Sequence, residues 1–251
     1  MCFNSTTSLV AFSISVACSA YLYYNGTVHN NKSDLFFSAV VFLIGCMQLI
    51  EYFLWENQNC TNNGNSNNSN NSNHIFSLII MVLLTLQGIV SCIVYYCLYP
   101  NNRYFNNTFV MFYLVIYSVF FVYMMNYLKN FKLCSAPSSK SCRLKWAPYD
   151  VMAKNNIPML IIHLVLYSAA GIILGVETLN NNVSDIFKYK TRYAVLPIVF
   201  ILSILYVIFK EINLSIKLFN NPLFYLDYAD VFGSVFCFSA VLLGIISVLH
   251  V

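Results

Sequence analysis

Charge is scarce in this chain: Asp, Glu, Lys and Arg together make up 9% of 251 residues, while 59% are hydrophobic. A soluble domain needs a larger polar share. The short motifs of soluble enzymes are missing too, with no GxGxxG, no phosphate-binding GKS/T loop, no GxSxG and no HExxH anywhere in the chain. Dinucleotide, P-loop, α/β-hydrolase and zincin chemistry are excluded in their usual forms. No CxxC pair exists among the nine cysteines, and no basic motif of a nucleic-acid reader occurs. Nucleic acid is not expected as a partner, and no cofactor or metal centre is predicted.

What is present instead is a succession of apolar runs at 8–24, 35–55, 75–99, 108–128, 157–176, 193–212 and 228–251. About 20 residues of helix cross roughly 30 Å of hydrocarbon, and in lipid each backbone polar group must be satisfied within its own segment. The chain therefore reads as one all-α integral membrane domain over 1–251, a seven-transmembrane-helix bundle whose first partner is the lipid bilayer. Cys18-Ser19-Ala20 offers a small-residue cleavage site, but no Lys or Arg precedes Lys32, so the first run is read as a span.

We call the membrane face that carries the N-terminus side A. Seven spans place Lys129, Lys132, Lys140, Arg143, Lys145, Lys154, Lys210 and Lys217 on side A, against Lys32, Arg103, Lys188, Lys190 and Arg192 on side B. That bias of eight to five points to a cytoplasmic side A. Glycosylation triplets occur on both sides and do not discriminate. The tract 57–73, NQNCTNNGNSNNSNNSN, is expected to be a disordered loop, since it has few apolar residues to offset its ordering entropy. The basic segment 129–156 is expected to lie as a loop on the membrane surface, with Trp146 as an interfacial anchor.

Polar residues inside the runs gather toward side A. Gln48, Glu51 and Trp55 share one face of the second run, Gln87 lies deeper on the third, and His163 falls about two turns into the fifth. Asp230 and Cys237 follow on one face of the seventh. Ionisable groups at such depth cost several kcal/mol unless paired or hydrated, so these residues outline a polar cavity open to side A. Cys2, Cys60, Cys134 and Cys142 all project on the same side, and three readings stay open for them: disulfides, a thiolate metal site, or free thiols. Cys134 and Cys142 are the nearest in sequence. Removal of Met1 would leave Cys2 with thiol and amine adjacent, a candidate nucleophile.

Three places carry a family resemblance: the opening Met1-Cys2-Phe3-Asn4 followed by Ser8, Gln48-Leu-Ile-Glu51 ending at Trp55, and Phe232-Gly-Ser-Val-Phe-Cys237-Phe-Ser239. The chain resembles an uncharacterised multi-span membrane protein family known from bacteria, fungi, algae and large DNA viruses. The resemblance implies that Cys2, Gln48, Glu51, Trp55 and Cys237 belong to one constellation, in a host or virion membrane. It implies no biochemistry. On the residues themselves, a cavity binding a small molecule or lipid head group is the first reading, a metal- or Cys-dependent membrane hydrolase the second, and a receptor-like or transport protein the third.

Overall fold

The computed structural model describes residues 4–58, 71–99, 107–137 and 144–180, together with 241, 244–246 and 248–249. Six helices run through them: α1 (Ser5–Val28), α2 (Lys32–Glu56), α3 (Asn71–Leu98), α4 (Asn107–Leu128), α5 (Ala147–Asn155) and α6 (Ile157–Asn180), with a two-stranded hairpin, β1 (Ala136–Pro137) and β2 (Leu144–Lys145), between α4 and α5. Four of the helices are long and apolar enough to cross a membrane, and the apolar Ile157–Tyr167 opens α6. By length and composition this is a helical membrane protein. The expected sixth run lies outside the described residues, as does most of the seventh.

α1 and α2 form a tight antiparallel pair, and the sequence explains the join. Asn30 takes a positive φ of 50°, and the Asn31 N–H bonds the Gly26 carbonyl at 2.9 Å, closing α1 with a left-handed cap of the kind Asn tolerates better than most residues. Asn31 then caps α2 directly, its side chain accepting from the N–H groups of Ser33 and Asp34. Along α1 the buried positions are Ser8, Ala11, Ser15, Ser19, Leu22 and Gly26, a seam of small side chains at helical spacing. It lets the backbones come close: a Cβ on Gly45 would stand 2.6 Å from the Ser15 Cβ, and one on Gly26 would stand 2.8 Å from Leu35 Cγ. The Ser19 hydroxyl crosses the seam to the Ser38 carbonyl at 2.8 Å.

The core runs through α2 and α3, where Phe37, Met47, Leu54, Ile80 and Met81 are fully buried. α4 presents Met111, Phe112, Val115, Val119, Val122 and Tyr123 outward, an apolar face suited to lipid. Its inner face meets α3 at Gly88, whose added Cβ would lie 2.8 Å from the Tyr113 hydroxyl oxygen. Tyr113 in turn donates to the Leu166 carbonyl of α6 at 3.1 Å. Gly244 of the last run sits against this bundle, its added Cβ 2.9 Å from Val41 Cγ1 and 3.3 Å from Cys18 Cβ.

Two expectations about connections change. α3 begins within the Asn-rich tract, at Asn71, and Asn73 is buried. Much of 129–156 is built into the fold as the hairpin and α5, and Trp146 is fully buried rather than anchored at the interface. The antiparallel register pairs Ala136 with Lys145 and Pro137 with Leu144, and Pro148 in the first turn of α5 suits a helix start. The segment is thereby turned inward. Trp146 can be buried because its indole N–H finds a partner inside.

Candidate functional site

Glu51 lies five residues before the end of α2, about 7–8 Å along the axis at 1.5 Å per residue, and is 2% exposed. One turn earlier, Gln48 is also buried and donates from Nε2 to Glu51 Oε2 at 3.0 Å. The other oxygen, Oε1, accepts from the Trp146 indole N–H at 3.1 Å. Two donors held in a dry setting stabilise a carboxyl oxygen pair far better than water-competing surface groups would. A pair one turn apart thus meets an indole from 95 residues further along the chain.

Trp146 is held there by a buried polar knot. Asn73 at the start of α3 donates to the carbonyls of Asn57 at 2.8 Å and Ser135 at 3.0 Å, and its Oδ1 accepts from the Ser135 N–H at 2.8 Å. The Ser135 hydroxyl contacts Ser77 Oγ at 2.7 Å and accepts from the Ala147 N–H at 3.0 Å. Nearby, the Leu133 N–H donates to His74 Nδ1 at 3.3 Å. The end of α2, the start of α3, the hairpin and the start of α5 are fastened together within a few residues of Trp146. Its position is therefore set by backbone, not by the rotamer of an exposed side chain.

Deeper in, His163 is fully buried on α6 among the rings of Tyr117, Phe120, Tyr149 and Tyr167, with centroid distances of 5.8 to 6.5 Å. Tyr149 also packs on Trp146 at 5.8 Å, so an aromatic path joins the indole at Glu51 to the imidazole. Among the described residues neither His163 nitrogen has a hydrogen-bond partner, and the same holds for Gln48 Oε1. Buried polar groups in proteins nearly always have partners, protein, water or ligand. Beyond His163, Tyr167 donates to Gln87 Oε1 at 2.8 Å, while Gln87 Nε2 reaches the Leu43 carbonyl at 3.4 Å.

Of the residues singled out from sequence, Gln48 and Glu51 are brought together, and Gln87 and His163 lie on the neighbouring helices α3 and α6. Trp55 is half-buried, and the indole that bonds Glu51 is that of Trp146. His163 makes no hydrogen bond to Glu51. Cys2, Cys60, Cys142, Asp230 and Cys237 lie outside the described residues. Cys134 is disulfide-bonded, and Cys18, Cys46, Cys92 and Cys97 are free thiols. Among the described residues no three His, Cys, Asp or Glu gather where they could hold a metal ion.

Sequence reasoning missed Trp146, Asn73, Ser77 and Ser135 as parts of the site. Trp146 had one available signal, as one of only two tryptophans in the chain. Asn73 and Ser77, one turn apart on α3, were masked by the Asn-rich tract beside them. Asp34, fully buried at the side-B end of α2, was missed as well; it accepts from Asn25 Nδ2 at 2.5 Å and Asn31 Nδ2 at 3.0 Å. No family model, curated protein or solved structure matches this chain.

Proposed function

We propose that this protein is a seven-helix membrane protein that binds a small polar molecule or lipid head group at the buried site around Glu51, just beneath side A. The seven spans follow from the apolar runs, of which 193–212 and 228–251 supply the last two. One observation carries the binding reading: an acid buried in an apolar bundle, with Gln48 and Trp146 on its two oxygens, lies in a neighbourhood where Gln48 Oε1 and both His163 nitrogens lack partners among the described residues. A site built only for packing seldom leaves such atoms unmet, since each costs roughly 1–3 kcal/mol. A ligand that donates to the amide oxygen and hydrogen-bonds the imidazole would meet them. The aromatic lining favours a head group with apolar or cationic character over a bare anion.

Native mass spectrometry of the detergent-purified protein tests this. A retained adduct of lipid or small-molecule mass is expected on the wild type, with several-fold lower occupancy in Glu51→Gln and His163→Phe. An adduct-free wild type whose thermal unfolding is unmoved by added phospholipids and by cell-extract metabolites would sink the reading. An adduct equally abundant in both variants would place ligand binding elsewhere on the molecule.

A further inference from the structure

The Cys134 disulfide stands one peptide bond from the centre of the polar knot. Ser135 follows it, and through its backbone and hydroxyl Ser135 holds Asn73, Ser77 and the N–H of Ala147. Ala147 is covalently next to Trp146, whose indole donates to Glu51. A bond at Cys134 therefore acts within four links on the geometry at Glu51. Cys18, Cys46, Cys92 and Cys97 are free thiols, so the partner of Cys134 is one of Cys2, Cys60, Cys142 and Cys237, all outside the described residues.

We propose that the Cys134 disulfide is a clamp that keeps Trp146 seated on Glu51, and that side A faces an oxidising compartment. A disulfide persists where thiols are not kept reduced by glutathione and thioredoxin. It also restricts the open chain more than the closed one, which favours the clamped arrangement. The cation bias of eight to five that points to a cytoplasmic side A is small, and a covalent bond that cytosol would not maintain outweighs it. Opening the clamp requires two electrons and two protons from a dithiol. The dithiol leaves as its own disulfide, and two Cys thiols remain on the protein. The inference goes beyond the ligand-site reading and stands without it.

The chain itself supplies a reporter, because Trp55→Phe leaves Trp146 as the sole tryptophan. In that variant, complete reduction, verified by alkylation of Cys134 in peptide mass maps, is expected to shift Trp146 emission to longer wavelength as the indole leaves its buried bond. Cys134→Ser in the same background should start from the shifted spectrum and respond no further to reductant. Unchanged emission after complete reduction would refute the clamp, whatever the variant does. For the compartment, sealed microsomes carrying the newly made protein are treated with a membrane-impermeant phosphine reductant. Cys134 is expected to stay bridged until detergent is added. Reduction in the sealed vesicles, or a Cys134 that is free from the start, would overturn the assignment of side A.

Discussion

Asp34 and Glu51 sit at opposite ends of α2, both shut off from solvent, and they are held in different ways. Among its described partners, Asp34 accepts from Asn25 at the end of α1 and Asn31 in the turn that follows, nine and three residues away. Among its described partners, Glu51 has a local donor, Gln48, and another that arrives from 95 residues downstream. The first is a local cap, which also places a carboxylate at a helix N-terminus where the dipole favours it. The second depends on four elements being assembled. A buried acid that draws donors from its own turn takes part in the folding of a hairpin, whereas one that also draws a donor from across the molecule ties distant segments together.

This contrast predicts a ranking of unfolding free energies. Glu51→Ala leaves the Trp146 and Gln48 donors buried without an acceptor, and at roughly 1–3 kcal/mol for each such group it should destabilise by about 3 kcal/mol or more. Thermal or denaturant unfolding in a fixed detergent measures it. Ser135→Ala removes the acceptor of the Ala147 N–H and the partner of Ser77 and should cost about 2 kcal/mol. It should also loosen Trp146 without touching Glu51, so its effect and that of Glu51→Ala should be less than additive in the double variant. Full additivity would show that the knot does not position the indole. Asp34→Ala should cost less, about 1–2 kcal/mol, because its partners lie at a helix end where water can replace the lost oxygen. A loss equal to that of Glu51→Ala would erase the distinction between the two acids. Lys154→Ala removes the 2.8 Å contact with Asp150 on the surface of α5 and should change stability by less than about 0.5 kcal/mol, as exposed ion pairs do.

The same two acids show how much of the molecule could be read from sequence. Hydropathy alone located α1 to α4 and α6, because lipid leaves the backbone no alternative to helix. Depth within a span singled out Glu51, and helical spacing supplied Gln48. Trp146 escaped because an aromatic residue beside loop cations has the composition of an interfacial anchor, and only the hairpin register turns it inward. Asn73 escaped because it closes an Asn-rich tract, where nothing local distinguishes the Asn that is buried. Asp34 escaped for the opposite reason: it follows Lys32 at the edge of a span, where an acid ordinarily remains in water. For Trp146 and Asn73 the missing information was a contact between distant segments, which neither periodicity nor composition encodes.

The seam between α1 and α2 bears on how the protein is made. α1 has a mean hydropathy of 1.4 in its most apolar stretch, the lowest of the four membrane-length helices, and α2 has 1.9. The serines that narrow the seam are what lower it. A segment of that kind gains from entering the bilayer beside its mate, where the Ser19 hydroxyl already has the Ser38 carbonyl to meet. With only His29, Asn30 and Asn31 between them, the two helices emerge from the ribosome almost together. They are suited to leave the translocation channel laterally as a preformed pair.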